Sequence, residues 1–412
     1  YWQNKVIPQI KELLTNYGDI AMLWFDMWIP HTQSIVSKEQ LMQLKNTIRQ
    51  LQPNCLINSR LGLSLQEDPD IDFKTLNDNQ LGAKKEDFPW QSPATVAHSW
   101  GFSAYEKQWK STTKLLNNLI NNVSLNGNMV LNIGPRANGD IPYEIAQRLQ
   151  QMGDWLKANG EAIYGASAYD LPRSFNDWGK ITCKTFPNRK TRLYLHVYNW
   201  NIRPVLKVSG IIEQPQRAYV LSDAEQKLLQ FQHQDILTTI QLPEDAPNPY
   251  VSVIVLEYDS YPKCKSDFVA INSSNGYALN GSNCQTAQPK VQLKKKQKYG
   301  SIPEHITVEQ PQILEWQIYV EKPCVANINL SYHCGASDKP IPVSISCGKE
   351  TLTFTPKLTG QTVGEPNSNW HIPKYVSKRV GEFHFQQKGF YTLRFQTKQK
   401  GNFDFQWIWV GL

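Results

Sequence analysis

Residues 129–160 read MVLNIGPRANGDIPYEIAQRLQQMGDWLKANG, an apolar run followed by a polar turn and a long amphipathic stretch. The run 129–133 has the length and composition of a buried β-strand, and residues 143–159 predict an α-helix that ends at Gly160. The whole stretch is therefore a strand–helix unit, the repeating element of parallel sheets that are covered by helices.

Similar units precede this one along the chain. Helical periodicity covers residues 3–16, 38–51 and 107–122, and apolar runs at 20–25, 55–57 and 96–102 predict the strands between them. This gives about four strand–helix units, whereas a closed (β/α)8 barrel has eight in typically about 250 residues. Residues 1–170 are therefore predicted to form the C-terminal half of a (β/α)8-like catalytic barrel. We accordingly expect the chain to be the C-terminal portion of a longer protein.

From about residue 178 the hydrophobic period changes to two, which is typical of β-strands with one buried face. Residues 171–260 are predicted to form a small β-sandwich, and residues 261–412 a second, accessory β-sandwich. The predicted strands lie at 181–184, 193–197, 204–208, 251–256, 314–320, 326–332, 343–346, 383–385, 391–395 and 403–410. The expected fold class is thus α/β plus all-β, a partial (β/α)8-like barrel followed by two β-sandwich domains.

Composition narrows the classes of function. The 412 residues are 40% hydrophobic and 19% charged, so the chain can bury a core. No apolar stretch reaches the roughly 18 residues that a membrane span needs. The net charge of +7 is small for this length, and the densest basic run, at 294–298, is typical of a solvated loop. We therefore expect no membrane span and no nucleic-acid partner.

Carboxylates that follow apolar strands are the best candidates for catalysis. The sequence contains no GxGxxG, GxxxxGK[ST], GxSxG or HExxH motif, so we expect neither a cofactor nor a catalytic metal. Barrel enzymes carry catalytic groups at the carboxyl ends of their strands. Asp26 follows the run 20–25, and Arg60 follows the run 55–57, where it can hold a substrate oxygen or orient Asp26. A second acid is expected from the acidic loop 67–87.

Several stretches resemble the α-L-fucosidases of glycoside hydrolase family 29. They are WFD at 24–26, PWQ at 89–91 with SWGF at 99–102, and GNMVLNIGP at 127–135, continued by NGDIP at 138–142 and WLKANGEAIY at 155–164. The later stretches are long, in order and correctly spaced, and the resemblance covers roughly residues 1–258. Family members look like a (β/α)8-like barrel followed by a small β-sandwich. The family's early strands, with their substrate-binding histidines, have no counterpart here, so we expect the isolated chain to be inactive.

The resemblance implies a retaining exo-α-L-fucosidase that removes terminal α-L-fucose from glycans, and the family's nucleophile motif falls on Asp26. In a double displacement a carboxylate attacks the anomeric carbon, while a second carboxyl group protonates the leaving oxygen and then activates water. The implied partner is a fucosylated oligosaccharide or glycoconjugate. We expect a secreted, periplasmic or lysosomal location.

The acid/base is where this sequence departs from the family. Many members carry Trp-Glu where this chain has Trp90-Gln91, and an amide cannot donate and recover a proton. Three interpretations stay open. Asp78 supplies the proton, because the segment 72–78 resembles an acidic family segment; or Gln91 is an engineered change at the catalytic position; or the protein is a non-catalytic fucose-binding protein on an inactivated fucosidase scaffold. Glu86 is a reserve candidate for the acid.

Aromatic residues supply the remaining candidates for sugar binding. Trp90, Trp100 and Phe102 suit a sugar pocket, because aromatic faces pack against the apolar C–H surface of a pyranose, and core packing is the alternative. The accessory sandwich resembles the carbohydrate-binding modules appended to many glycosidases, on its strand pattern and on WQIYV at 316–320 and GFYTLRF at 389–395. The alternative for this domain is a purely structural spacer.

Overall fold

The computed structural model describes residues 1–27, 29–171, 178–200, 204–272, 276–294, 304–360 and 373–412. Most of the basic run predicted to be a solvated loop, residues 295–298, lies outside this part of the chain. Of the helices that are described, none combines the length and the apolar character needed to cross a membrane.

The N-terminal region is built from five helices and five short parallel strands. The helices are α1 (Ile7–Asn16, preceded by a π-helical turn at Trp2–Val6), α2 (Ile29–Ile35), α3 (Lys38–Leu51), α4 (Thr112–Val123) and α5 (Tyr143–Asn159). The strands are β1 (Met22–Leu23), β2 (Leu56–Ile57), β3 (Lys74–Thr75), β4 (Trp90–Thr95) and β5 (Gly127–Asn132). Strand β1 pairs with β2, β3 with β4, and β4 with β5, and a parallel bridge from Asn58 to Phe73 connects the two sets. Among the described residues this sheet stays open and forms no closed barrel.

Local sequence signals set the helices that cover this sheet. Helix α3 begins with a capping box, in which the Ser37 hydroxyl accepts the amide of Gln40 and the Gln40 side chain accepts the amide of Ser37. Its apolar stripe is buried at Leu41, Leu44 and Ile48. The cap fixes where the helix starts, and the stripe fixes which side faces the strands.

The third predicted strand is wrong in position. We expected it at 96–102, whereas the strand runs from Trp90 to Thr95 and residues 96–101 form bends. Pro93 lies inside this strand, and a residue without an N–H counts against a strand in a sequence pattern. Here its carbonyl accepts the amide of Asn79 at 2.8 Å, and pairing with β3 and β5 on both sides holds the strand. The correction places Trp90 and Gln91 inside the sheet.

The next region consists of two antiparallel sheets that face each other. Its strands are β6 (Ser167–Ala168), β7 (Gly179–Thr185), β8 (Thr191–Val197), β9 (Val205–Ser209), β10 (Arg217–Val220), β11 (Phe231–Gln234), β12 (Leu237–Gln241) and β13 (Ser252–Tyr258). One sheet has the order β10-β13-β8-β7-β6 and the other β11-β12-β9. Helices α4 and α5 pack on the first sheet, where the indole of Trp155 donates to the Val251 carbonyl at 2.7 Å. This sheet is therefore covered by apolar residues on both faces.

The last region is a second pair of antiparallel sheets. Its strands are β14 (Gly276–Asn280), β15 (Thr286–Gln288), β16 (Ile306–Thr307), β17 (Gln312–Val320), β18 (Cys324–His333), β19 (Val343–Cys347), β20 (Glu350–Phe354), β21 (Val376–Phe385), β22 (Gly389–Thr397) and β23 (Asp404–Gly411). One sheet has the order β14-β23-β18-β21, with β16 beside β23, and the other β15-β17-β22-β19-β20. Alternate residues of both sheets, among them Trp316, Phe395 and Phe405, fill the core between them.

Short contacts connect the two sandwiches. Lys207 of the first pairs with Glu321 of the second at 2.5 Å, and the Tyr319 hydroxyl donates to Asp235 at 2.7 Å. Ile236 of the first sandwich packs with Phe268 and Tyr319 of the last region in a small buried cluster. Polar and aromatic contacts together therefore hold the second sandwich against the first.

Candidate active site

Side chains that follow β1, β2 and β3, together with the last residue of β5, line one cleft at the carboxyl edge of the parallel sheet. Asp26 follows β1, Arg60 lies in the 3-10 turn after β2, and Asp78 follows β3. Gln91 lies within β4, and Asn132 is the last residue of β5. Because parallel strands present their carboxyl ends at the same edge, the sheet gathers residues that are far apart in sequence.

Arg60 joins the two carboxylates. Its Nη1 lies 2.5 Å from Asp26 Oδ1 and its Nη2 lies 2.6 Å from Asp78 Oδ1, and Nη2 also donates to the Leu76 carbonyl at 2.8 Å. The Arg60 side chain is only 8% exposed, while Asp26 is 70% and Asp78 41% exposed. A planar guanidinium donates in fixed directions, so it holds two acids side by side with their outer faces open to solvent.

Asn58 aligns the strand ends that carry this arrangement. Its fully buried amide exchanges two hydrogen bonds of 2.8 Å with the backbone of Phe25 and donates to the Thr75 hydroxyl at 3.1 Å. One side chain thereby fixes the residue before Asp26 relative to the end of β3. The strands β1, β2 and β3 are each only two residues long, so few backbone hydrogen bonds connect them. Side-chain hydrogen bonds such as those of Asn58 therefore help to fix the strand ends relative to one another.

Trp24 lies between Arg60 and Gln91. The guanidinium carbon of Arg60 lies 5.4 Å from the centre of the Trp24 ring, which is cation–π distance. The indole N–H donates to Gln91 Oε1 at 2.7 Å. Gln91 is therefore connected through Trp24 to the arginine that holds both acids.

Five other acidic residues of the loop 67–87 contact groups outside this arrangement. Asp68 is buried against Lys45 at 2.7 Å, Asp72 pairs with Arg49 at 2.7 Å, and Glu67 accepts the amide of Ser64. These are structural contacts. Glu86, the reserve candidate, lies 3.5 Å from Lys84 and does not line the cleft that holds Asp26. Of this loop, Asp78 is the acid placed beside Asp26.

Trp90 is a core residue, and its predicted role in a sugar pocket is wrong. It is 1% exposed, and its indole N–H donates to the Leu125 carbonyl at 3.2 Å. The ring occupies the space beside Gly82 and Gly127, where an added Cβ would lie 2.3 Å and 2.1 Å from its atoms. The chain needs glycine at these positions because the indole fills the volume that a side chain would take.

Trp100 and Phe102 are exposed, as a sugar pocket requires. Trp100 is 38% exposed and lines a cleft of about 610 Å³ together with Trp24, Asp26, Arg60, Asp78 and Asn132. Phe102 lies outside this cleft, under the guanidinium of Arg136 at 5.7 Å. The structure therefore brings Trp100 to the acids and leaves Phe102 on the neighbouring rim.

Glu106 shapes the loop that carries Trp100. Its carboxylate accepts the backbone amides of His98, Ser99, Lys107 and Gln108 and the Ser99 hydroxyl, at 2.7–3.1 Å. These hydrogen bonds, that from Gln108 first, lower the pKa of Glu106 to about 2. The Glu106 carboxylate thus holds the loop in place through these hydrogen bonds. The Asn132 side chain fixes the loop further by donating to the Trp100 carbonyl at 2.6 Å.

Sequence reasoning missed four residues of this site. Trp24, Asn58, Glu106 and Asn132 were not proposed, although Trp24 and Asn132 lie within the stretches that carry the family resemblance. Their positions beside Asp26 and at the end of β5 were the available signal. Nothing in the sequence pattern singles out Glu106, because its partners are backbone amides.

Within the described ranges no three His, Cys, Asp or Glu side chains gather as ligands for an ion. Two carboxylates held together at the carboxyl edge of a parallel sheet, beside an exposed tryptophan, define the type of site that glycoside hydrolases use.

Comparison with known proteins shows a similarity to α-L-fucosidases. Residues 1–161 match the family model for alpha-L-fucosidase. Over 182 residues the chain is 30% identical to an alpha-L-fucosidase of Dictyostelium discoideum, a match that covers 43% of this chain and 39% of that protein. The N-terminal region is therefore similar to α-L-fucosidases, and the matched part spans well under half the length of this relative.

Solved structures agree with the fold. Alpha-L-fucosidase isoenzyme 1 from Paenibacillus thiaminolyticus aligns with a TM-score of 0.54 at 31% identity, covering 61% of each chain. An alpha-L-fucosidase from Vibrio sp. strain EJY3 aligns over 100% of this chain and 70% of its own, with a TM-score of 0.68 at 24% identity. The second likeness concerns the fold alone, and it extends through both sandwiches.

Proposed function

We propose that the protein is a retaining exo-α-L-fucosidase that releases terminal α-L-fucose from fucosylated oligosaccharides or glycoconjugates. The observation that carries this proposal is the pair of carboxylates, Asp26 and Asp78, on one arginine at the carboxyl edge of the sheet. We further propose that the five parallel strands are part of a (β/α)8-like barrel, and that the protein acts in a secreted, periplasmic or lysosomal setting.

Asp26 has the features of the nucleophile. Its side chain is 70% exposed, so a sugar ring can approach it, and the hydrogen bond from Arg60 fixes the direction in which it points. In the first step a carboxylate oxygen of Asp26 bonds to the anomeric carbon while the bond from that carbon to the leaving oxygen breaks. Water then attacks the same carbon and releases Asp26, so the anomeric configuration is retained.

Asp78 has the position of the acid/base. In the first step it must give a proton to the leaving oxygen, and in the second it must take one from water. Arg60 holds the Asp78 carboxyl beside Asp26 by donating to its Oδ1 at 2.6 Å.

Gln91 favours a second candidate function, a fucose-binding protein on an inactivated fucosidase scaffold. Its amide stands where related sequences carry glutamate, and it is engaged by Trp24 at 2.7 Å. With an amide at this position and no other acid, Asp26 would still accept a fucosyl group from an activated donor. Natural glycans would then be bound and not cleaved, because their leaving oxygen needs a proton.

The test compares two substrates on the intact protein. A 4-nitrophenyl α-L-fucoside has a leaving group that needs little protonation, whereas 2′-fucosyllactose needs an acid. We expect Asp26→Asn to lower turnover of both by several orders of magnitude with the fold unchanged. Asp78→Ala should abolish cleavage of 2′-fucosyllactose, spare much of the first step with the aryl fucoside, and yield fucosyl azide of retained configuration when azide is added.

Three outcomes would contradict this proposal. Near-normal activity in a folded Asp26→Asn variant would remove Asp26 from the mechanism. Unchanged cleavage of 2′-fucosyllactose by Asp78→Ala, together with a large gain in Gln91→Glu, would move the acid/base to position 91. Binding of fucose by calorimetry without turnover of either substrate would establish the binding protein instead.

A further inference from the structure

A partly exposed pair of tryptophans lies far along the chain from the acids, on the outer face of the sheet β14-β23-β18-β21. In β23 the residues Phe405, Ile408 and Val410 are buried between the sheets, whereas Trp407 and Trp409 point outward and are partly exposed. We call the surface around Trp407 and Trp409 the tryptophan face. One residue, Ile408, lies between them, so their Cα atoms are about 7 Å apart.

The indole of Trp409 lies flat on the sheet. A Cβ added at Gly276 would come within 2.7 Å of its Cζ2, and one added at Gly411 within 3.1 Å of its Nε1. Gly276 and Gly411 are paired with each other across β14 and β23. Because neither carries a side chain, the ring rests on the backbone, and the Trp409 side chain stays partly exposed.

The neighbours of the tryptophan face are polar and mostly uncharged. Asn329 lies opposite Trp409 on β18, Ser331 lies opposite Trp407, and Asn327 is next to Gly411. The Ser331 hydroxyl donates to Gln406 at 2.6 Å. The nearest cation on this face, Arg379 on β21, is neutralised by an ion pair with Glu382.

The aromatic rings and the uncharged polar neighbours of the tryptophan face favour one chemical class of ligand. A flat aromatic surface favours a ligand with flat apolar faces, and the surrounding amides and hydroxyls favour one with many hydroxyl groups. The absence of net charge around the described part of the face disfavours nucleic acid and acidic peptides. Pyranose rings have both properties, with C–H groups on their faces and hydroxyls at their edges.

We propose that the tryptophan face is a binding site for an uncharged glycan chain, two of whose sugar rings stack on Trp407 and Trp409. Asn327 and Asn329 are placed to hydrogen-bond the ring hydroxyls beside them. The site is separate from the cleft at Asp26 and does not depend on its activity. It gives the second sandwich a function in holding the glycan on which the proposed hydrolase acts.

The experiment is affinity electrophoresis of the full chain through native gels that contain xyloglucan, galactomannan, hydroxyethylcellulose or pig gastric mucin. We expect retardation in at least one neutral polysaccharide gel and an affinity lowered on the order of tenfold by Trp409→Ala. Ala278→Lys provides a second variant, because it keeps both tryptophans and places a long side chain opposite Trp409. Tyr143→Ala, which removes an exposed aromatic from α5, is the matched control and should migrate as the wild type does.

The outcomes separate this proposal from the proposed function. Asp26→Asn should retain full retardation, so a loss of hydrolysis leaves the glycan site intact. No retardation of the wild type in any gel, or equal retardation of wild type, Trp409→Ala and Ala278→Lys, would overturn the proposal. If Trp409→Ala changed the self-association of the chain, measured by sedimentation, and left its retardation unchanged, the proposal would also be overturned, since the tryptophan face would then bind a second copy of the chain.

Discussion

Replacing Gly127 by alanine tests the packing of Trp90 at the base of the site. The new methyl carbon would lie 2.1 Å from Trp90 Cζ2 and 2.3 Å from Cε2. The ring would have to move by roughly 1 Å or more before the carbons reach an ordinary separation of about 3.5 Å. Gly82 abuts the same six-membered ring, and the indole N–H is bonded to the Leu125 carbonyl, so that movement is opposed.

The expected cost follows from these contacts. Overpacking of a filled core costs about 1–3 kcal/mol, and the loss of the indole hydrogen bond adds about 1 kcal/mol. We expect local opening of the parallel sheet to become about 3 kcal/mol easier, which corresponds to backbone amides exchanging about 100-fold faster. Hydrogen exchange of residues 90–95 and 127–132, read by mass spectrometry, measures this directly.

Gly153→Ala is the matched substitution, and it should stabilise the protein. Gly153 lies in α5 and an added Cβ there meets nothing within 4 Å, so Gly153→Ala should stabilise the helix by up to about 1 kcal/mol. Adding Trp90→Leu to Gly127→Ala should cost less than the two single changes together, because the ring that clashes is gone. Wild-type exchange rates in Gly127→Ala would refute the placement of Trp90 in the core.

Three further predictions concern charged groups. Arg60→Lys keeps one cation but replaces the two nitrogens that donate to Asp26 and Asp78 by a single nitrogen, which cannot reproduce the directions of the planar fork, so turnover of aryl fucoside should fall at least tenfold while circular dichroism is unchanged. Equal turnover would show that the shared fork has no role. Lys45→Met leaves Asp68 buried without its partner and should lower the free energy of unfolding, measured by urea titration, by about 3–5 kcal/mol. Adding Asp68→Leu to Lys45→Met should restore most of that free energy. Burial lowers the pKa of His196 to about 3. Below about pH 6.5 the unfolded chain therefore binds a proton that the folded chain does not bind. The free energy of unfolding should then fall by up to about 1.4 kcal/mol per pH unit down to about pH 3. His196→Asn should flatten that pH dependence, and a control change at exposed His384 should not; identical slopes in the wild type and His196→Asn would contradict the assignment.

The sequence by itself determined the elements with strong local signals. Helix α3 has a capping box and an apolar stripe, and residues 38–51 were predicted with the bounds that the structure has. Ten of the strands described after residue 178 were predicted for the same reason, since one buried face imposes a period of two, whereas β10, β11, β12, β14, β15, β16 and β20 were not predicted. Asp26 and Arg60 were predicted because they follow apolar runs, and a strand that ends in a polar residue marks the rim of a parallel sheet.

Only the tertiary structure decided which of the many candidates share a site. Seven acidic residues lie between Glu67 and Asp87, and their spacing does not distinguish an acid that pairs with Lys45 from one that reaches Arg60. The burial of Trp90 depends on Gly82, eight residues before it, and on Gly127, 37 residues after it. Such contacts arise from the packing of separate strands, and no local pattern records them. Propensity and periodicity act over a few neighbouring residues, whereas a site is assembled by long-range packing.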